Sequence, residues 1–131
     1  MGTLSALVRS ADWKNEKHVP AIDCPDSVRA GEWFAVTVTV GKEIAHPNTT
    51  EHHICWIALH VAPAGAKASV ELGRFEFSAH GQSAAGPNQG PAHTDSQVTT
   101  RVKLAAGGTL FATAYCNIHG LWESEKAVQV A

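Results

Sequence analysis

The chain has 131 residues, 44% of them hydrophobic, with a net charge of −2 and three cysteines. That length and apolar content fit one folded domain with a real core and exclude a disordered chain. No basic excess points to nucleic acid or an anionic membrane surface, no apolar run is long enough to span a bilayer, and an odd, sparse cysteine set makes no disulfide framework.

The first residues, M-G-T-L-S-A-L-V-R-S, reach Arg9 before an apolar run long enough for a secretory signal develops. With three unpaired thiols this predicts a reducing, cytoplasmic setting. The polar segment E-K-H-V-P follows at residues 16–20, and residues 23–29 read as a strand or turn around Pro25. Trp33-Phe34-Ala35-Val36-Thr37-Val38-Thr39-Val40 alternates in the period of a strand and stops at Gly41. Residues 53–61 form a second strand, apolar on both faces, closed by Pro63 and Gly65. Residues 70–77 form a third, with Gly73 as a bulge position. Residues 78–97, rich in Gly, Pro, Ser, Asn and Gln, read as a long surface loop. Strands over 96–104 and 109–116 flank Gly107-Gly108, which reads as a hairpin turn. A short last strand covers 125–130. No segment carries a helical period. Six or seven strands with no linker or composition break predict an all-β sandwich or barrel, one domain over residues 1–131.

Eight histidines stand against one tyrosine and one methionine, which directs attention to a metal. Three clusters carry that chemistry: Glu16-Lys17-His18, the loop His46-Pro47-Asn48-Thr49-Thr50-Glu51-His52-His53, and Cys116-Asn117-Ile118-His119-Gly120. Each falls at a strand end or in a loop, and loops at one end of a sandwich converge on a common site. The isolated His60, His80 and His93 read as surface or hydrogen-bonded residues, and Cys24 and Cys55 as small buried hydrophobes. Glu16-Lys17 alone would be a solvated charge pair. A Cys-x-x-His pair combined with a histidine-rich loop elsewhere is different, because it offers metal donors of two kinds. Structural zinc prefers two or more thiolates in paired elements, and only one is available here. Blue copper would take an axial methionine, and the only one is Met1. Several neutral imidazoles with a single anionic sulfur suit iron that changes oxidation state.

Taken in order, E-K-H-V-P, G-K-E-I-A-H-P-N-T-T-E-H-H-I and Y-C-N-I-H-G-L-W resemble the signature of superoxide reductases of the single-domain, neelaredoxin type. The resemblance runs over residues 12–125 and includes the loop F-S-A-H-G-Q-S-A-A-G-P-N. It implies an immunoglobulin-like β-sandwich of about seven short strands. It also implies one mononuclear iron per chain, with His18, His46, His52 and His119 as equatorial ligands and Cys116 as the axial one. His53 would then face the other way, since side chains alternate along a strand. The implied reaction is one-electron reduction of superoxide to hydrogen peroxide. In the family the glutamate at Glu16 takes the sixth position when iron is oxidised, and Lys17 would supply positive charge near the open face. Backbone N–H groups around Ile118 and His119 would hydrogen-bond the sulfur, and Gly120 would spare the metal a Cβ. No four-cysteine set is present for a second iron, so an external electron donor is expected, rubredoxin being the family's usual one. Relatives of this type are often homotetramers. Cys24 and Cys55 match no ligand motif. The competing expectations are a non-catalytic electron-transfer protein, a domain holding structural zinc, and a dismutase that needs no donor.

Overall fold

The computed structural model describes residues 2–131 and is built from eight strands. They are β1 (Pro20–Asp23), β2 (Ser27–Val28), β3 (Trp33–Val40), β4 (Ile54–Pro63), β5 (Val70–Glu76), β6 (Gln97–Lys103), β7 (Gly108–Cys116) and β8 (Gly120–Val130). The one helical element among the described residues is a 3₁₀ turn, Leu4–Leu7. Met1, weighed above as a copper ligand, lies outside the described residues.

The strands form two sheets, β1-β3-β6 and β2-β8-β7-β4-β5, packed as an immunoglobulin-like sandwich. All pairings are antiparallel except the short β2–β8 pair. The alternation read from the sequence sets the inward faces. On β3, Phe34, Val36, Val38 and Val40 point into the core. On β7, Leu110, Ala112, Ala114 and Cys116 do the same. Ile57, Leu59 and Leu110 are fully buried, and each such side chain contributes roughly 2 kcal/mol of transfer free energy. Cys116 is the last residue in phase with this inward row, so the pleat itself delivers its sulfur to the closed end of the sandwich.

Four sequence expectations change. The final strand starts at Gly120, not near residue 125, and pairs with β7 along its length from Cys116↔Gly120 to Gly108↔Val128. Its first half hides from pattern reading because Glu123 and Ser124 are only partly covered and Glu125 is exposed. Gly107-Gly108 is no hairpin turn, since β6 and β7 lie in different sheets and the glycines carry the chain across. Residues 23–29 divide between the end of β1 and the two-residue β2. The strand count is eight, one more than expected. The bulge expected at Gly73 is present: Leu59 faces Gly73 and His60 faces Glu71, leaving Leu72 extra.

Candidate metal centre

The three polar clusters meet at one end of the sandwich because the strands that carry them are neighbours there. His18 stands two residues ahead of β1, whose Pro20 pairs with Val40 at the end of β3. His46 and His52 lie in the loop between β3 and β4. Ile54, at the start of β4, pairs with Cys116 at the end of β7. His119 sits in the turn that closes the β7–β8 hairpin. Gly41 makes the β3–β4 loop possible: its φ is +89°, and a Cβ there would lie 2.7 Å from the His46 nitrogen.

One donor atom from each of His18, His52, Cys116 and His119 lies within 4.8 Å of the others. His46 is not among the four whose donor atoms lie that close, but its ring stands beside them, with its centroid 4.8 Å from those of both His18 and His52. Local hydrogen bonds fix which nitrogen two of the rings turn inward. His46 donates from Nδ1 to the Pro47 carbonyl at 2.7 Å, which leaves an Nε2 lone pair. His18 donates from Nδ1 to Glu16 Oε1 at 2.7 Å, so its Nε2 faces His119 Nδ1 at 3.1 Å. Cys116 Sγ is 3.8 Å from His119 Nδ1 and accepts the His119 backbone N–H at 3.4 Å. The expectation of a backbone donor to the sulfur is therefore met at His119.

This arrangement fits a metal ion on a specific observation. The Nε2 atoms of His46 and His52 are buried and have no hydrogen-bond partner. Buried polar atoms are normally satisfied, and two unpartnered ring nitrogens beside a cluster of other donors are what a metal ion would satisfy. Burial pushes the His46 pKa down to about 4 and also lowers His18 and His52, the Glu16 carboxylate working against burial at His18. Neutral imidazoles are the form a metal takes. The hydrogen bond from His18 in turn holds Glu16 below the ordinary carboxylate range.

A supporting shell positions the donors. Trp122 stacks on His18 at 4.9 Å and 13°, and its Nε1 donates to the His119 carbonyl at 3.3 Å. Asn117 ties the hairpin to the His46–His52 loop: its Oδ1 accepts the His53 N–H at 2.9 Å and its Nδ2 donates to the Glu51 carbonyl at 2.9 Å. The long loop before β6 clamps the same segment. Thr50 N–H donates to Asn88 Oδ1 and Asn88 Nδ2 donates to the Glu51 carboxylate. His80 is buried, pairs with Asn48 Oδ1 and the Phe77 carbonyl, and stacks on His53 at 3.6 Å and 7°. Sequence reasoning missed the parts played by Asn88, Asn117 and Trp122. No spacing signal announces them, because each acts through a contact between distant segments.

Of the remaining expected residues, Lys17 is half-buried and lines a cleft of about 430 Å³ that also touches Glu16, His18 and His119. The Glu16 carboxylate lies on the outer nitrogen of His18. His53 faces away from the donors, bonding Thr49 O and stacking on His80. His60 lies 3.9 Å from Glu71, and His93 is exposed. Cys24 and Cys55 carry free thiols but are only half-buried, which corrects the expectation of buried positions. Cys55 is the residue left over where the β4–β7 register shifts, so its side chain drops out of the inward row. Gly120 has φ +82° and a Cβ there would meet no protein atom within 4 Å, so left-handed backbone in the hairpin is what calls for glycine.

The family model described as Desulfoferrodoxin matches residues 10–125. A neelaredoxin from Megalodesulfovibrio gigas is 59% identical over 122 residues, 93% of this chain and 94% of the relative. A superoxide reductase from Pyrococcus furiosus is 48% identical over 96% of this chain and 99% of its own. The solved structure of a superoxide reductase (neelaredoxin) from Archaeoglobus fulgidus in the reduced form superposes with a TM-score of 0.86 at 50% identity, covering 94% of this chain and 98% of that one.

Proposed function

The chain belongs to the desulfoferrodoxin family, and from that premise we propose that His18, His46, His52, His119 and Cys116 hold its mononuclear iron. The activity is superoxide reduction, with superoxide as substrate and hydrogen peroxide as product. The observation that carries the ligand assignment is the pair of buried, unpartnered Nε2 atoms on His46 and His52, beside three further donors.

Iron held by these residues would supply the electron that superoxide takes up. The chain does the rest. Cys116 would contribute the one sulfur donor from the buried end of β7, where the His119 N–H hydrogen-bonds it. The imidazoles add donors without adding charge. Glu16 anchors His18 by accepting the hydrogen bond from its Nδ1, and its carboxylate, which lines the same cleft, would be a further oxygen donor to the oxidised metal. Lys17 presents positive charge in the cleft above His18 and His119, where a small anion arrives. The two protons that complete peroxide come from solvent, which reaches the exposed His119 side of the site. A closed electron-transfer centre has no use for such an opening.

An external donor of the rubredoxin kind reduces the protein between turnovers, the chain holding no four-cysteine set of its own. Three free thiols support a cytoplasmic setting, and among the described residues no helix is long and apolar enough to cross a membrane. The chain acts as one domain and assembles as a homotetramer, which equilibrium sedimentation of the iron-loaded protein checks. The ligand assignment is tested by colour. A single thiolate on ferric iron gives a strong visible charge-transfer band. Cys116→Ser abolishes it, whereas Cys24→Ser and Cys55→Ser leave it in place. Loss of the band in Cys55→Ser with iron still bound would overturn the assignment.

A further inference from the structure

Beyond Lys17, the cleft has a second cation that the motifs do not announce. Arg9 lies at its edge together with Lys17, His18, Ile44 and Trp122. It comes from the N-terminal segment, outside every element that carries a donor. Two backbone hydrogen bonds pin it: Arg9 N–H donates to the Leu121 carbonyl at 3.0 Å, and Glu123 N–H donates to the Arg9 carbonyl at 2.9 Å. These make a parallel bridge to Trp122. The guanidinium then spreads over the Trp122 ring, 4.4 Å from its centroid. Trp122 itself stacks on His18. Arg9 therefore stands one aromatic layer away from a donor of the metal centre.

Exposed cations are usually worth little because they wander and pair with nearby acids. Neither applies here. The backbone is fixed on β8, the ring holds the guanidinium, and Arg9 forms no ion pair among the described residues. Glu16, the carboxylate lining the same cleft, is engaged by His18. An arginine with an unspent charge at the rim of an open, otherwise half-polar cleft is a preorganised attractor for a small anion.

We propose that Arg9 is a second steering cation for superoxide, acting with Lys17 at the mouth of the cleft; this rests on the superoxide reductase reading of the site. Arg9 acts on the approach of the anion and is not a catalytic residue. A unit charge on the order of 10 Å from the reacting position, in an effective dielectric of about 60, raises the local concentration of a monovalent anion about two- to threefold. Salt removes that gain as the Debye length shortens.

The test is pulse radiolysis of the iron-loaded protein across an ionic-strength series, comparing wild type, Arg9→Gln, Arg9→Lys, Lys17→Gln and the Arg9→Gln/Lys17→Gln double variant. Arg9→Gln should slow the second-order reaction about two- to threefold at low salt and converge on wild type at high salt. Arg9→Lys should retain most of the rate. The double variant should show the product of the two single effects. Azide affinity of the oxidised protein, read from its visible spectrum, should fall in parallel in Arg9→Gln. A purely structural role through Trp122 predicts the opposite pattern: a loss independent of salt, not rescued by lysine, with a shifted visible band. That pattern, or equal low-salt rates in wild type and Arg9→Gln, overturns the proposal. If wild type itself does not consume superoxide, the activity reading fails instead.

Discussion

The Glu16 carboxylate accepts two hydrogen bonds from His18, one from the ring and one from the backbone N–H at 3.2 Å. In that position it fixes the tautomer that turns His18 Nε2 inward. The proposed role as a ligand to oxidised iron would require it to leave the ring, and at 30% exposure the side chain has room to move. On that proposal Glu16→Ala removes a competing ligand, so azide should bind the oxidised protein more tightly, by several-fold in a spectral titration. Unchanged affinity would reduce Glu16 to an anchor for His18. At this scale the sequence was most informative. Every proposed donor stands in a short motif, because metal ligation demands particular atoms at particular spacings. Less legible was which nitrogen each histidine uses. That depends on Pro47 O at His46 and on Glu16 at His18, contacts that a string of residue types does not specify.

Among the elements, the β7–β8 hairpin and the β3–β4 loop must be held in register, since each supplies part of the donor set. Asn117 is the clasp, bonding the backbone of both Glu51 and His53. Asn117→Ala removes two hydrogen bonds, each worth about 1 kcal/mol net. It should lower stability by about 1–2 kcal/mol in denaturant unfolding and accelerate loss of iron to a chelator. Wild-type chelation kinetics in the variant would show that the hairpin needs no such tie. Pattern reading found β3 to the residue, because one face is buried and the other solvated. It shortened β8, where charged residues cover a strand whose outer edge meets only the two-residue β2 and a single bridge at Arg9 among the described residues. It also mistook the Gly107-Gly108 crossover for a turn, since glycine pairs do not say which sheet the next strand joins. The clamp formed by His80 and Asn88 was invisible for the same reason: loop-to-loop contacts leave no period.

For the molecule as a whole, one end of the sandwich gathers the five proposed donor side chains, two of which carry buried ring nitrogens that no protein group satisfies. The metal-free protein should therefore depend on pH in a definite direction. His46 titrates near 4 in the fold and near 6.5 when unfolded, so between those values the unfolded chain holds the extra proton. Stability is fully present above about 6.5 and falls as pH drops through that window. The lowered His18 and His52 act in the same sense. A melting temperature of metal-free protein that stays flat from pH 7 to pH 4 would contradict this. The central claim is that the chain reduces superoxide and leaves its reoxidation product for an external donor to restore. It is tested most directly by mixing iron-loaded, fully reduced protein with successive pulses of superoxide, to beyond one equivalent, and measuring peroxide and dioxygen together. The account predicts as many moles of peroxide as of superoxide consumed, no dioxygen, and an end to the reaction once the reduced protein is spent. Dioxygen released alongside half as much peroxide, with turnover continuing in the absence of any donor, would contradict it.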